Sequence, residues 1–241
     1  MAAAPAAASV IVVGPEGSAR ERIVEALRPA DLSISTLTEA EALGQRHLAP
    51  PYLVVLVREG PRTERQAAQG RLLSHPALHG APLLVVGAET DVDSYGGALA
   101  RGAAAYVSSA ASPPEMRDLA LRLVRAAERR RAEGRADGHD RRGGRRPLLL
   151  KVEVEDRALG TRLSGHIVDV GVSGCRLELA QPLAKGVPVG LQLHAYQEST
   201  GIVLAGSVRW TRPGDGGMHL VAVRFNGTSA VVARRLFGLR A

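Results

Sequence analysis

The 241-residue sequence predicts two fold classes in series: an α/β half on a doubly wound, five-stranded parallel sheet, then an all-β half closed as a six-stranded antiparallel barrel with a short C-terminal helix. Two observations carry this. The first half alternates short unbroken apolar runs with amphipathic stretches, as strands buried on both faces do with their crossover helices. The second half is a succession of short strand-like segments broken by Gly and Pro turns. Between them residues 131–146 (RAEGRADGHDRRGGRR) are small, charged and Gly-rich with no apolar period, and read as a linker.

In the first half, strands are expected at 10–13 (VIVV), 33–37 (SISTL), 53–57 (LVVLV), 83–86 (LLVV) and 104–107 (AAYV). Helices fall between them at 18–27, from about 39, at 63–73 and at 91–101. A long last helix is expected over 114–131, fraying near Gly134. Five strand–helix units in this span make the flavodoxin-like pattern. In the second half, strands are expected at 148–156, 162–170, 175–179, 187–195, 201–211 and 219–225, with Pro147 tolerated at the first strand position. A closing helix over 229–239 carries Val231, Val232, Leu236 and Leu239 at roughly helical spacing, fit to cover the barrel mouth.

Composition is that of a globular chain, 45% hydrophobic and 23% charged, with only 3% aromatics, so the cores must be aliphatic. The net charge of +7 is unevenly placed. Residues 1–130 hold 14 basic and 14 acidic side chains, 131–146 hold 6 against 3, and 147–241 hold 11 against 7. Taken alone, the Arg-rich run fits a solvated linker, a nucleic-acid contact or a small anionic ligand. The dearth of aromatics counts against base stacking by a nucleic-acid partner.

Cys175 is the single cysteine, which excludes an intrachain disulfide and fits a cytoplasmic location. It opens a strand and reads as a small buried hydrophobe. No run reaches the ~18–20 apolar residues of a membrane span. The opening MAAAPAAAS has no cationic start or apolar core, so residues 1–8 read as a disordered tail and not a secretory signal. The histidines, at 47, 75, 79, 139, 166, 194 and 219, are scattered, and no metal site or cofactor is expected. Trp210 is expected to pack on the barrel or its closing helix. No nucleophile–base pair or phosphate-cradling loop stands out, so no enzyme activity is expected.

Residues 9–130 resemble the receiver domains of response regulators, most visibly at Gly102-Ala103 and in SAASPPEMRDLALRLV after the last strand. The resemblance implies a phosphoacceptor Asp ending the third strand, two acids after the first to hold Mg²⁺, a hydroxyl residue after the fourth and a Lys after the fifth. Here those places hold Val57 with Arg58, Gly14 and Pro15 with only Glu16 nearby, Gly87, and Ser109. A hard cation needs carboxylate oxygens. Residues 9–130 are therefore read as a pseudo-receiver without phosphotransfer, docking through its surface and open to homodimer formation.

The segment RRGGRR, then IVDVGVSGCRLEL, then SVRWTR and HLVAVRF, resembles the PilZ family. That family carries R-x-x-x-R before the first strand and Asp/Asn-x-Ser-x-x-Gly between the second and third. Arg142 to Arg146 matches the first motif, with Arg141 to Arg145 as an alternative register. Asp169 to Gly174 matches the second, except that Gly171 stands where the family has serine; Ser173 follows two residues later. The resemblance implies that residues 147–241 are a PilZ barrel, that the linker carries its arginine motif, and that the ligand is cyclic di-GMP. The ligand residues would be Arg141, Arg142, Arg145, Arg146, Asp169, Gly171, Ser173 and Gly174. The expected function is a cyclic di-GMP receptor or adaptor that signals to a downstream protein through domain rearrangement. The alternative is a degenerate scaffold without nucleotide binding, which Gly171 favours.

Overall fold

The structure is a computed structural model and describes residues 7–45, 49–78, 80–137, 145–195 and 198–239. The chain divides into two compact units, residues 1–90 with 103–138, and residues 91–102 with 139–241.

Five parallel strands form the sheet of the first unit: β1 (Ala8–Val13), β2 (Leu32–Leu37), β3 (Leu53–Val57), β4 (Leu83–Gly87) and β5 (Ala105–Ser108). Their order, β2-β1-β3-β4-β5, is that of a flavodoxin-like sheet. Every residue of β3, β4 and β5 is buried, which is why those strands read as unbroken apolar runs. Edge strand β2 has partly exposed residues throughout and keeps its Ser and Thr. The helices are α1 (Ser18–Leu27), α2 (Glu39–Gly44), α3 (Arg62–Ser74), α4 (Val92–Ala100) and α5 (Pro113–Asp137). A capping box starts α2: the Thr38 hydroxyl accepts from Glu41 N and the Glu41 carboxylate accepts from Thr38 N at 2.7 Å. Asp91 caps α4 by accepting from Ser94 N at 2.8 Å. Although α4 lies between β4 and β5 in sequence, it belongs to the second unit.

Helix α5 runs to Asp137, beyond the expected end near residue 131. Arg131 explains the extension. Its guanidinium lies 3.8 Å from the Tyr52 ring centroid and donates to the Pro50 and Pro51 carbonyls at 2.9 and 2.6 Å. The last residue of the expected helix is thus clamped, and the residues after it (Ala132, Glu133) are strong helix formers.

The second unit is a closed antiparallel barrel of β6 (Arg146–Asp156), β7 (Thr161–Gly171), β8 (Gly174–Leu179), β9 (Pro188–Ala195), β10 (Glu198–Pro213) and β11 (His219–Phe225), in the order β10-β11-β8-β7-β6-β9. Ile167, Leu177, Leu191 and Val221 are fully buried inside it. Cys175 is fully buried too. Helix α6 (Gly227–Leu236) packs on β10 and β11; Asn226 caps it, and the Ser229 hydroxyl accepts from Ala205 N at 2.8 Å. Two expectations need correcting here. Ser229, Ala233 and Phe237, four residues apart, take the inward face of this helix, so Val231 (53% exposed) and Val232 point to solvent. Trp210, 36% exposed, faces outward with the Arg212 guanidinium 4.9 Å from its ring centroid.

Candidate functional site

In an open α/β sheet the ligand crevice lies beyond the carboxyl ends of the strands. A cleft of about 430 Å³ occupies that place, lined by Glu16, Arg20, Val57, Arg58, Glu59 and Glu64 among others. Its lining mixes carboxylates with the guanidiniums of Arg20 and Arg58. Arg58 follows β3 and pairs with Glu64 at 2.8 Å and Glu39 at 3.9 Å. A Cβ on Gly14 would lie 2.6 Å from the Val57 carbonyl oxygen, so an acid cannot enter there without backbone movement. A Cβ on Gly87 would meet the Tyr106 hydroxyl at 2.5 Å and Arg65 Nη1 at 2.8 Å. Buried Arg65 pairs with Glu89 at 2.5 Å, and the Tyr106 hydroxyl donates to the Glu89 carbonyl at 2.8 Å. The strand ends thus hold guanidiniums already matched to carboxylates of the same unit.

The barrel is arranged differently. Strands β7 and β8 join through a two-residue loop, Val172-Ser173, with Gly171 opposite Gly174, Val170 opposite Cys175 and Asp169 opposite Arg176. A bulge between Ile167 and Asp169 then shifts the register. Val170 and Cys175 point into the core, so Asp169 and Arg176 share the opposite face. The Asp169 side chain is 2% exposed. Its Oδ1 accepts from Arg145 Nη1 at 2.8 Å and its Oδ2 from Arg176 Nε. A buried charge left without any partner typically costs about 3–5 kcal/mol, and here two guanidiniums face one carboxylate. The two arginines differ in tether. The Arg176 side chain, 11% exposed, sits on a paired strand; that of Arg145, 40% exposed, sits just before β6.

Of the expected ligand residues, Arg145, Asp169, Gly171 and Ser173 come together around this hairpin. A Cβ on Gly171 would lie 3.4 Å from Arg145 Cγ, with nothing else nearer than 3.9 Å, so the position has room for a serine. Gly174 is required by packing: a Cβ there would run into the Val223 carbonyl oxygen of β11. Arg146 is opposite Val170 on the inward side, and its Nε and Nη2 are buried without a hydrogen-bond partner. Burial pulls its guanidinium down to about 10, still charged at neutral pH. The geometry thus separates the two arginine registers: Arg145, the second member of the Arg141 register, reaches Asp169, whereas Arg146 turns away. Arg141 and Arg142 lie outside the described residues.

Arg176 was not singled out from the sequence, although the hairpin's loop length alone pairs it with Asp169. Burial, with the Asp169 charge adding, pushes the Cys175 thiol up, so it stays protonated and is no nucleophile. His75 Nε2 lies 3.1 Å from the Leu43 carbonyl, a structural contact; His47, His79 and His139 lie outside the described residues. Among the described residues no cluster of three His, Cys, Asp or Glu side chains is placed to hold a metal, and no helix is long and apolar enough to cross a membrane.

The solved structures this chain is similar to include the chemotaxis response regulator CheY4 of Vibrio cholerae (19% identity, TM-score 0.43, 48% of this chain and 98% of that one). They also include the PilZ domain of YcgR from Escherichia coli, solved with c-di-GMP (17%, 0.34, 42% and 90%). A third is the PilZ domain of CeSA from a cellulose-synthesizing bacterium (21%, 0.30, 39% and 96%). No curated protein matches the chain. Residues 129–239, the end of α5 together with the barrel and α6, match the PilZ domain family.

Proposed function

We propose that the barrel is a cyclic di-GMP receptor site and that the chain transmits this signal by protein contact. The observation that carries the reading is Arg145: a half-exposed guanidinium at the foot of the arginine motif, resting on Asp169 beside the Gly171 hairpin. The ligand class fits this chemistry. Its two phosphates and the O6/N7 edges of its guanines suit guanidinium forks. Guanine N1–H and N2–H suit a carboxylate such as Asp169. Arg141 lies four residues before Arg145 in the sequence, the spacing of the family's arginine motif. Drawing this segment onto the barrel changes the tether between α5 and β6, and a downstream protein then distinguishes the two arrangements. The sheet unit, whose strand-end charges are already paired, acts as a docking module and not as a phosphotransfer domain.

Calorimetric titration with cyclic di-GMP, with GTP and cyclic di-AMP as controls, tests the reading. Micromolar or tighter guanine-specific binding, weakened about tenfold to a hundredfold in Arg145→Ala, is the expected result. Absence of binding at high ligand concentration sinks it and leaves the second reading, a PilZ scaffold that acts by protein contact alone; Gly171 in place of the family serine favours that one.

A further inference from the structure

We propose that Arg176, which lies outside both family motifs, is a positioning residue that makes the Arg145–Asp169 pair exchangeable for ligand. The inference rests on the reading of this hairpin as a cyclic di-GMP site. Asp169 is almost wholly buried, and each of its oxygens has an arginine: Oδ1 the half-exposed Arg145, Oδ2 the buried Arg176. A ligand that recruits Arg145 to a phosphate takes away one of two counter-charges. A buried carboxylate left with none would resist the exchange, because an unpaired charge in a low-dielectric site is strongly disfavoured.

Arg176 removes that obstacle. It stands directly across the β7–β8 ladder from Asp169, so its contact does not depend on the segment before β6. With Oδ2 held, the carboxylate keeps its charge and its orientation, and Oδ1 is the edge released when Arg145 leaves. Arg145 is thus a placeholder on Oδ1 in the ligand-free protein, and a guanine N–H donor is its replacement. The bulge after Ile167 sets up this division, since it fixes the register that puts Asp169 opposite Arg176.

The experiment is a double-mutant cycle on the full chain, read by calorimetry with cyclic di-GMP on wild type, Arg176→Gln, Asp169→Asn and the double variant. Asparagine suits the background because the family motif accepts it. Arg176→Gln is expected to weaken binding about tenfold in the wild-type background and less than about twofold in the Asp169→Asn background, since a neutral amide needs no counter-charge. Equal losses in both backgrounds, or none in either, overturn the proposal while leaving the cyclic di-GMP site in place. A wild-type protein that does not bind overturns both. Arg176→Lys keeps the charge and a donor and guards against misfolding of the glutamine variant: binding within about threefold of wild type supports the proposal, and a tenfold loss in a protein with an unchanged melting temperature overturns it.

Discussion

The two units handle arginine in opposite ways. At the strand ends of the sheet, Arg58 and Arg65 are each matched to acids of their own unit, Glu39, Glu64 and Glu89. Where a doubly wound sheet would present a ligand crevice, the charges are already neutralised. On the barrel, one buried carboxylate is shared by two guanidiniums, and the more exposed of them sits at the foot of an arginine-rich segment. A closed set of ion pairs is a piece of structure. An arginine that shares its acid with a second arginine can be given up to an anion without stranding the acid. The contrast follows the sequence charge, balanced over residues 1–130 and in excess from residue 131 onward.

The harshest way to break the barrel side of this comparison is Asp169→Ala, which leaves buried Arg176 without its carboxylate. It is expected to lower stability by about 3–5 kcal/mol in urea unfolding. Arg145→Ala should cost stability far less, because that side chain is 40% exposed. Its expected effect is instead a loss of about tenfold to a hundredfold in cyclic di-GMP affinity, the range of a charged hydrogen bond. Gly171→Ser restores the family serine in a position with room for it and should tighten binding by roughly fivefold, about 1 kcal/mol.

Arg146→Met sharpens the distinction between neighbouring arginines. Replacing a buried guanidinium that lacks partners on Nε and Nη2 is expected to raise stability by about 1 kcal/mol at neutral pH. The sign of the pH effect follows from the lowered folded value of about 10. Below that pH the folded protein carries the full burial penalty; above it, the folded protein sheds its proton before the unfolded chain does, and wild-type stability rises. The advantage of the Met variant should therefore shrink as melting curves are taken from pH 7 to beyond pH 10. The smallest expected effect is on the sheet: Arg58→Ala should leave cyclic di-GMP affinity unchanged within error. A clear loss there would mean that the sheet contributes to the proposed nucleotide site.

Much of this was legible in the sequence, where the signal is local. The apolar runs at 53–57 and 83–86 announced buried parallel strands because both faces of such a strand meet helices. The missing acids at Gly14 and Val57 could be read off strand ends. Asp169 and the arginine run stood out because motif residues sit at short fixed spacings. Less local features were misread. Val231 and Val232 look like an inward face until Phe237, an aromatic beyond the helix end, is seen to anchor the other side with Ala233 and Ser229. Likewise the clamp of Tyr52 and two proline carbonyls on Arg131, about eighty residues apart in sequence, extends α5 beyond the point where composition predicts fraying.

By itself, then, the sequence determined the two fold classes, the order of their elements and the residues available to meet an anion, all of which follow from periodicity and short-range spacing. Tertiary structure alone decided which of those residues meet. Arg145, just before β6, and Arg146, its first residue, are chemically identical neighbours, yet the one reaches Asp169 and the other lies opposite Val170 on the inward side. The pairing of β7 with β8 then brought Asp169 to Arg176, where a slip of one residue would have turned the carboxylate into the core.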